Sequence, residues 1–172
     1  MIRLMDIEFT DEALANLIET VGHEIRNGGR VLAIAESCTG GWMAKLCTDL
    51  PGSSDWFERA FVCYSNASKQ EMLGVGAAAL ARHGAVSEKV VSEMASGALD
   101  KSDANIAVAV SGVAGPDGGT PEKPVGTVCF AWADSNGGLT TETCHFNGDR
   151  DDIRRNAVGH GFRGIVEHLL RT

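Results

Sequence analysis

Apolar positions along this chain switch between two spacings, and each switch marks an element. Leu14, Leu17, Ile18, Val21 and Ile25 recur three and four apart, the period of one helix side, and Thr10 or Asp11 stands where an N-cap belongs. Gly28-Gly29 stops that helix. VLAIA at 31–35 is a short continuous apolar run, which suits a strand covered on both faces. Trp42, Met43, Leu46, Cys47 and Leu50 return to helical spacing and end at Pro51-Gly52. FVCY at 61–64 reads as another buried strand. Ser65 is placed to cap a short helix through Asn66, Lys69 and Leu73, and 77–82 adds one or two helical turns. Ser87 caps a longer helix that turns Val90, Val91, Met94, Ala98 and Leu99 inward.

IAVAV at 106–110 is the third strand, followed by a loop rich in Gly and Pro at 111–124. Segments 125–133 and 139–146 flank Asn136-Gly137-Gly138, a hairpin signal. Asp149 or Asp151 caps a last helix whose apolar side holds Ile153, Ala157, Ile165, Val166 and Leu169. Crossover units followed by a hairpin predict an α/β fold. We expect a three-layer α/β/α sandwich with a mixed, mostly parallel sheet and a C-terminal hairpin. With no repeat, low-complexity tract or linker, residues 1–172 read as one domain.

Composition narrows the class. At 172 residues, with 44% hydrophobic and 22% charged side chains, the chain can bury a core and is not a disordered one. No apolar run approaches the ~20 residues of a membrane span, so no membrane is expected as partner. The start, MIRLMDIEFTDEAL, lacks the apolar stretch of a secretory signal. Five cysteines, Cys38, Cys47, Cys63, Cys129 and Cys144, are odd in number and form no CxxC pair, which fits reduced thiols in a cytoplasm and gives a zinc site no support. His23, His83, His145, His160 and His168 show no metal-ligand spacing, so no metal is expected. A net charge of -8 argues against nucleic acid as a partner, while one small anion held by local amides stays compatible.

Three Gly- or hydroxyl-rich segments each follow a predicted strand, and open α/β sheets bind ligands at that edge. Glu36-Ser37-Cys38-Thr39-Gly40-Gly41 leads into a helix whose free N–H groups suit a phosphate or an oxyanion; the competing role is a simple turn and cap. Tyr64-Ser65-Asn66-Ala67-Ser68-Lys69 puts a lysine one turn into a helix. Such a lysine activates a serine only if its pKa is lowered, with the phenol of Tyr64 as a relay, and the alternative is a solvated lysine and a core tyrosine. Ser111, Gly112, Gly115, Gly118 and Gly119 lie in a loop long enough to form an anion nest. Arg150, at the start of the last helix, can reach a phosphate or carboxylate, or serve as a surface contact.

The stretches AESCTGGWMAKLCTDLPGSSDWFERAFVCYSNASKQEMLGV, GAVSEKVVSEMASGAL and AVAVSGVAGPDGGTPEKPVGTVCFAWA resemble the CinA C-terminal domain family, the nicotinamide-nucleotide amidohydrolases of the PncC type. The similarity runs from about Val31 to the final helix, and longer members carry an additional N-terminal domain, so a stand-alone deamidase is expected. The resemblance implies a small-molecule substrate, nicotinamide mononucleotide, deamidated to nicotinic acid mononucleotide and ammonia without a cofactor. By motif, Ser37 corresponds to the nucleophile and Tyr64 and Lys69 to the proton-transfer pair. Thr39, Gly40, Gly41, Asn66, Ser111, Gly112, Gly115, Gly118, Gly119 and Arg150 fall in its substrate-binding segments, with Ser111 where many relatives have threonine. A homo-oligomer is also implied. The competing class is a non-catalytic nucleotide-sensing or partner-binding module.

Overall fold

The computed structural model describes residues 9–171, so the expectation drawn from the first eight residues lies outside the described part. The elements are α1 (Asp11–Asn27), β1 (Leu32–Glu36), α2 (Trp42–Asp49), β2 (Phe57–Val62), α3 (Asn66–Leu73), α4 (Ala77–His83), α5 (Glu88–Asp100), β3 (Ile106–Gly112), β4 (Thr127–Asp134), β5 (Leu139–His145) and α6 (Arg150–Leu169). Short polar side chains start the main helices. The side chains of Thr10, Ser65, Ser87 and Asp149 each accept an N–H from the first turn of α1, α3, α5 and α6.

The sheet order is β2-β1-β3-β4-β5. β1 pairs in parallel with β2 and β3, and β4 is antiparallel to β3 and β5, so β4 alone runs against the others. Side-chain size, rather than polarity, alternates along the central strands. Leu32, Ile34, Ile106, Val108, Val110, Val128, Phe130 and Trp132 face one core, which α1, α2 and α6 cover. Ala33, Ala35, Ala107, Ala109, Cys129, Ala131 and Ala133 face the other, covered by α3, α4 and α5. The small face lets helices pack close. A Cβ added at Gly97 of α5 would lie 2.0 Å from the Leu73 carbonyl at the end of α3.

One strand differs from expectation. The apolar run at 61–64 predicts a strand buried on both faces; β2 instead spans Phe57–Val62 at a sheet edge, with Arg59 exposed. Only one face of an edge strand needs to be apolar, and the Glu58–Arg59 ion pair hides its first half from a hydrophobic scan.

The connections position the site. The chain leaves β1 through α2 on one face of the sheet to reach β2, then returns through α3, α4 and α5 on the other face to reach β3. The connection that leaves β1 and the one that leaves its neighbour β2 therefore cross on opposite faces of the sheet, and open α/β sheets hold ligands beyond strand ends of this kind. The C-terminal ends of β1, β2, β3 and β5 lie at this edge, and β5 leads directly into α6. Among the described residues, no helix is long and apolar enough to cross a membrane.

Candidate active site

Ser37 is the first residue past β1, and its N–H still donates to the Val110 carbonyl at 3.1 Å, which ties it to β3. Gly40 (φ +61°) and Gly41 (φ +95°) then turn the chain into α2 through backbone angles that only glycine adopts readily. The wholly buried Glu36 carboxylate sits inside this turn. It accepts from Thr39 Oγ1 at 2.6 Å and from the N–H groups of Gly41 at 3.0 Å, Met43 at 3.1 Å and Ala44 at 2.8 Å. The expectation of a free helix N-terminus for an anion is thereby corrected, because a carboxylate of the chain itself already occupies it. The N–H of Gly40 is taken as well, by the Ser37 carbonyl at 3.1 Å.

Lys69 arrives from α3. Ser65 and Ser68 form a reciprocal capping box at the start of that helix, which directs Lys69 inward one turn later. Its side chain is 1% exposed, not solvated. Nζ lies 3.0 Å from Ser37 Oγ, 2.8 Å from the Cys63 carbonyl and 3.2 Å from the Tyr64 carbonyl. Burial pulls the Lys69 pKa below the ordinary lysine value. The neighbouring Cys38 thiol is pushed up to about 12, also by burial, so it stays protonated and the hydroxyl of Ser37 has no thiolate rival beside it.

Tyr64 is neither a core residue nor a relay between the two. It is 65% exposed, Lys69 touches its backbone carbonyl rather than its phenol, and its hydroxyl lies 3.5 Å from Arg150 Nη2. The phenol sits outside the dyad because β2 ends at Val62, before the apolar run does. Arg150, the first residue of α6, also donates through Nη1 to the Gly115 carbonyl at 2.6 Å. Ser111 is buried near the end of β3, beside Gly112. Gly115 and Gly118 adopt positive φ in the following loop, and a Cβ at Gly119 would lie 2.8 Å from the Val125 nitrogen. Asn66 is exposed at the first position of α3, where its carbonyl accepts from Gln70. The structure thus links Ser37 with Lys69, and Tyr64 with Arg150 and Gly115. Among the described residues, Asn66, Gly118 and Gly119 make no hydrogen bond to these groups; the neighbours of Gly118 and Gly119 are Val113, Pro124 and Val125.

Two residues of the site escape a motif scan. Glu36 looks like the polar end of a strand, and its partners are mostly backbone N–H groups, which leave no side-chain signature. Arg154 of α6 donates from Nε to the Cys38 carbonyl and from Nη2 to the Thr39 carbonyl, each at 3.0 Å, and its guanidinium lies 5.4 Å from the Trp42 ring centroid. Its spacing from Arg150, one helical turn along the same side, is the only sequence signal it offers.

Away from this edge, β5 and α6 bring Glu142, Cys144 and His160 together, a donor group that spacing along the chain does not show. His160 Nε2 is 3.0 Å from Glu142 Oε2 and 3.3 Å from Cys144 Sγ. Arg163, which can only donate, lies 2.8 Å from His160 Nδ1. That contact makes Nδ1 the acceptor and leaves the proton on Nε2, so the neutral ring presents an N–H to its neighbours instead of a lone pair for a cation.

The sequence pattern of the CinA C-terminal domain matches residues 14–169. The chain belongs to that family. As a CinA C-terminal domain it is 53% identical over 164 residues to the nicotinamide-nucleotide amidohydrolase PncC of Escherichia coli K12, covering 95% of this chain and 99% of that one. It is 50% identical over 162 residues to a putative competence-damage inducible protein of Symbiobacterium thermophilum, of which it covers 38%. The crystal structure of the competence/damage inducible protein CihA from Agrobacterium tumefaciens superposes with a TM-score of 0.89 at 38% identity, over 95% of this chain and 99% of that one. That superposition places this chain in the same α/β fold as the solved structure.

Proposed function

We propose that this chain is a nicotinamide-nucleotide amidohydrolase, which cleaves the carboxamide of nicotinamide mononucleotide with Ser37 as nucleophile and Lys69 as its base. The family membership and the activity for which the Escherichia coli relative is named supply the substrate class. The observation that carries the chemistry is the environment of the Lys69 amine. A neutral amine has two N–H groups and one lone pair. The carbonyls of Cys63 and Tyr64 take the two N–H groups, which leaves the lone pair for the Ser37 hydroxyl 3.0 Å away. Burial favours that neutral form.

In the first step Lys69 takes the Ser37 proton as Oγ attacks the amide carbon. Negative charge develops on the carbonyl oxygen. The N–H groups of Ser37, Gly40, Gly41, Trp42, Met43 and Ala44 already donate within the chain and Thr39 is wholly buried, so the N–H of Cys38 is the loop's donor for this oxyanion. The Lys69 ammonium then returns its proton to the departing nitrogen, and ammonia leaves. Lys69, neutral again, activates water to hydrolyse the acyl-enzyme and release the nicotinate product. Arg150, at the mouth of the site beside Tyr64 and the Gly115 loop, holds the ribose phosphate.

An ammonia-release screen of the purified chain over pyridine nucleotides and other primary amides tests this reading. The expected result is turnover of nicotinamide mononucleotide well above every non-nucleotide amide. Release from none of them would leave a non-catalytic binder, and a preference for an unrelated amide would replace the substrate.

A further inference from the structure

We propose that Glu36 and Arg154 are positioning residues that hold the Ser37 loop from opposite sides, Glu36 by its N–H groups and Arg154 by its carbonyls. The inference rests on the reading of Ser37 as nucleophile. Ser37 itself is tied to β3, but the turn that follows it contains two glycines at positive φ and has little stiffness of its own. Glu36 supplies it. One carboxylate oxygen collects Thr39 Oγ1 and the N–H groups of Gly41 and Met43, and the other takes Ala44. A buried carboxylate is tolerated only with such a donor set, so the turn and the charge fix each other.

Arg154 acts on the peptide planes that matter most. The Thr39 carbonyl, which accepts from Nη2, shares its peptide plane with the Gly40 N–H, and that N–H donates to the Ser37 carbonyl, whose plane carries the Cys38 N–H. Holding one plane sets the direction of the next, and a charged donor on the Thr39 carbonyl strengthens the Gly40 N–H as a donor. The other bond, from Nε to the Cys38 carbonyl, fixes the far end of the residue that carries the oxyanion donor. Arg154 therefore orients an oxyanion donor without touching substrate. Glu36 also keeps the α2 terminus from binding the substrate's phosphate, which leaves the phosphate to the Arg150 side of the mouth.

The test uses Glu36→Gln, Arg154→Met and Arg154→Lys in the full chain. Two rates are measured. One is ammonia release from nicotinamide mononucleotide, split into kcat and KM. The other is labelling of Ser37 by a fluorophosphonate, normalised to the number of reactive sites. In the labelling step the serine oxygen displaces fluoride from phosphorus and Lys69 takes the proton. Glu36→Gln and Arg154→Met are expected to lower kcat and per-site labelling about 10- to 100-fold, with KM within about threefold. Arg154→Lys is expected to recover part of the loss, because one ammonium reaches one carbonyl. The pH midpoint set by Lys69 should not move, since its own contacts are intact. A purely structural role would lower the number of reactive sites and leave the per-site rates at the wild-type level, and that result overturns the proposal. If Glu36→Gln does not fold, the two Arg154 variants decide. A wild-type chain labelled at Ser37 that releases no ammonia overturns the substrate alone, and the labelling ratios still decide the positioning roles. A wild-type chain that resists labelling at Ser37 overturns the nucleophile and this proposal together.

Discussion

Lys69 Nζ lies 3.0 Å from Ser37 Oγ, across 32 positions of sequence, between α3 and the loop that follows β1. The amine is useful to the serine only when neutral. Burial lowers its pKa from the ordinary lysine value near ~10.4, so the active form gains population at lower pH than in a solvated lysine. The specificity constant for ammonia release is expected to rise with pH and level off, with a midpoint below that ordinary value. A profile with no ascending limb, or a midpoint at the solvated value, would remove Lys69 as the base.

The same shift makes a stability prediction. The folded chain binds the Lys69 proton less tightly than the unfolded chain does. Between the folded and unfolded pKa values the unfolded state therefore holds more protons, and wild-type stability rises with pH across that window. Lys69→Met has no such proton. Its Tm relative to wild type should fall as pH rises through the folded-state value towards the ordinary lysine value of about 10. A difference that is constant in pH, or grows in favour of the variant, contradicts the shift.

Arg150 tests how the substrate is read. Its guanidinium holds the Gly115 carbonyl at 2.6 Å and faces the Tyr64 hydroxyl, so it can meet a phosphate at the mouth without approaching the dyad. Arg150→Ala should lower kcat/KM for nicotinamide mononucleotide by roughly 10- to 100-fold, the scale of one charge-assisted hydrogen bond. Nicotinamide riboside, which lacks the phosphate, should change far less. An equal loss for both compounds would mean that Arg150 shapes the loop and does not read the phosphate.

Gly97 connects packing to the site. A Cβ there would lie 2.0 Å from the Leu73 carbonyl, at the end of the helix that delivers Lys69. Gly97→Ala should destabilise the chain by about 1–3 kcal/mol, the usual range for overpacking, as read by denaturant unfolding. It should also lower kcat at temperatures where the variant is fully folded. Unchanged stability would show that α3 and α5 separate freely.

Much of this arrangement is legible in the sequence because it rests on local chemistry. Thr10, Ser65, Ser87 and Asp149 announce their helices through side chains that reach their own first turns. The loops after β1, β2 and β3 stand out because glycine and hydroxyl residues follow apolar runs, and that pattern alone puts Ser37 and Lys69 at the same sheet edge. What stays hidden depends on distance or on backbone. Arg154 meets the Cys38 carbonyl across 116 positions, and Glu36 meets N–H groups that every residue but proline carries. Tyr64 misleads because FVCY reads as uniformly buried, whereas the strand ends at Val62 and leaves the phenol outside. The Glu142–Cys144–His160 group has no sequence signature because its members come from a strand and a helix that only the fold brings together.

The most direct measurement is the rate of ammonia release from nicotinamide mononucleotide by purified Lys69→Met, at a pH where wild type is at its plateau and the variant is folded by circular dichroism. A methionine fills the buried volume but offers Ser37 no base. The expected result is a loss of kcat of about 100-fold or more, the scale of a general base. A kcat within about threefold of wild type would contradict the catalytic role of the amine beside Ser37.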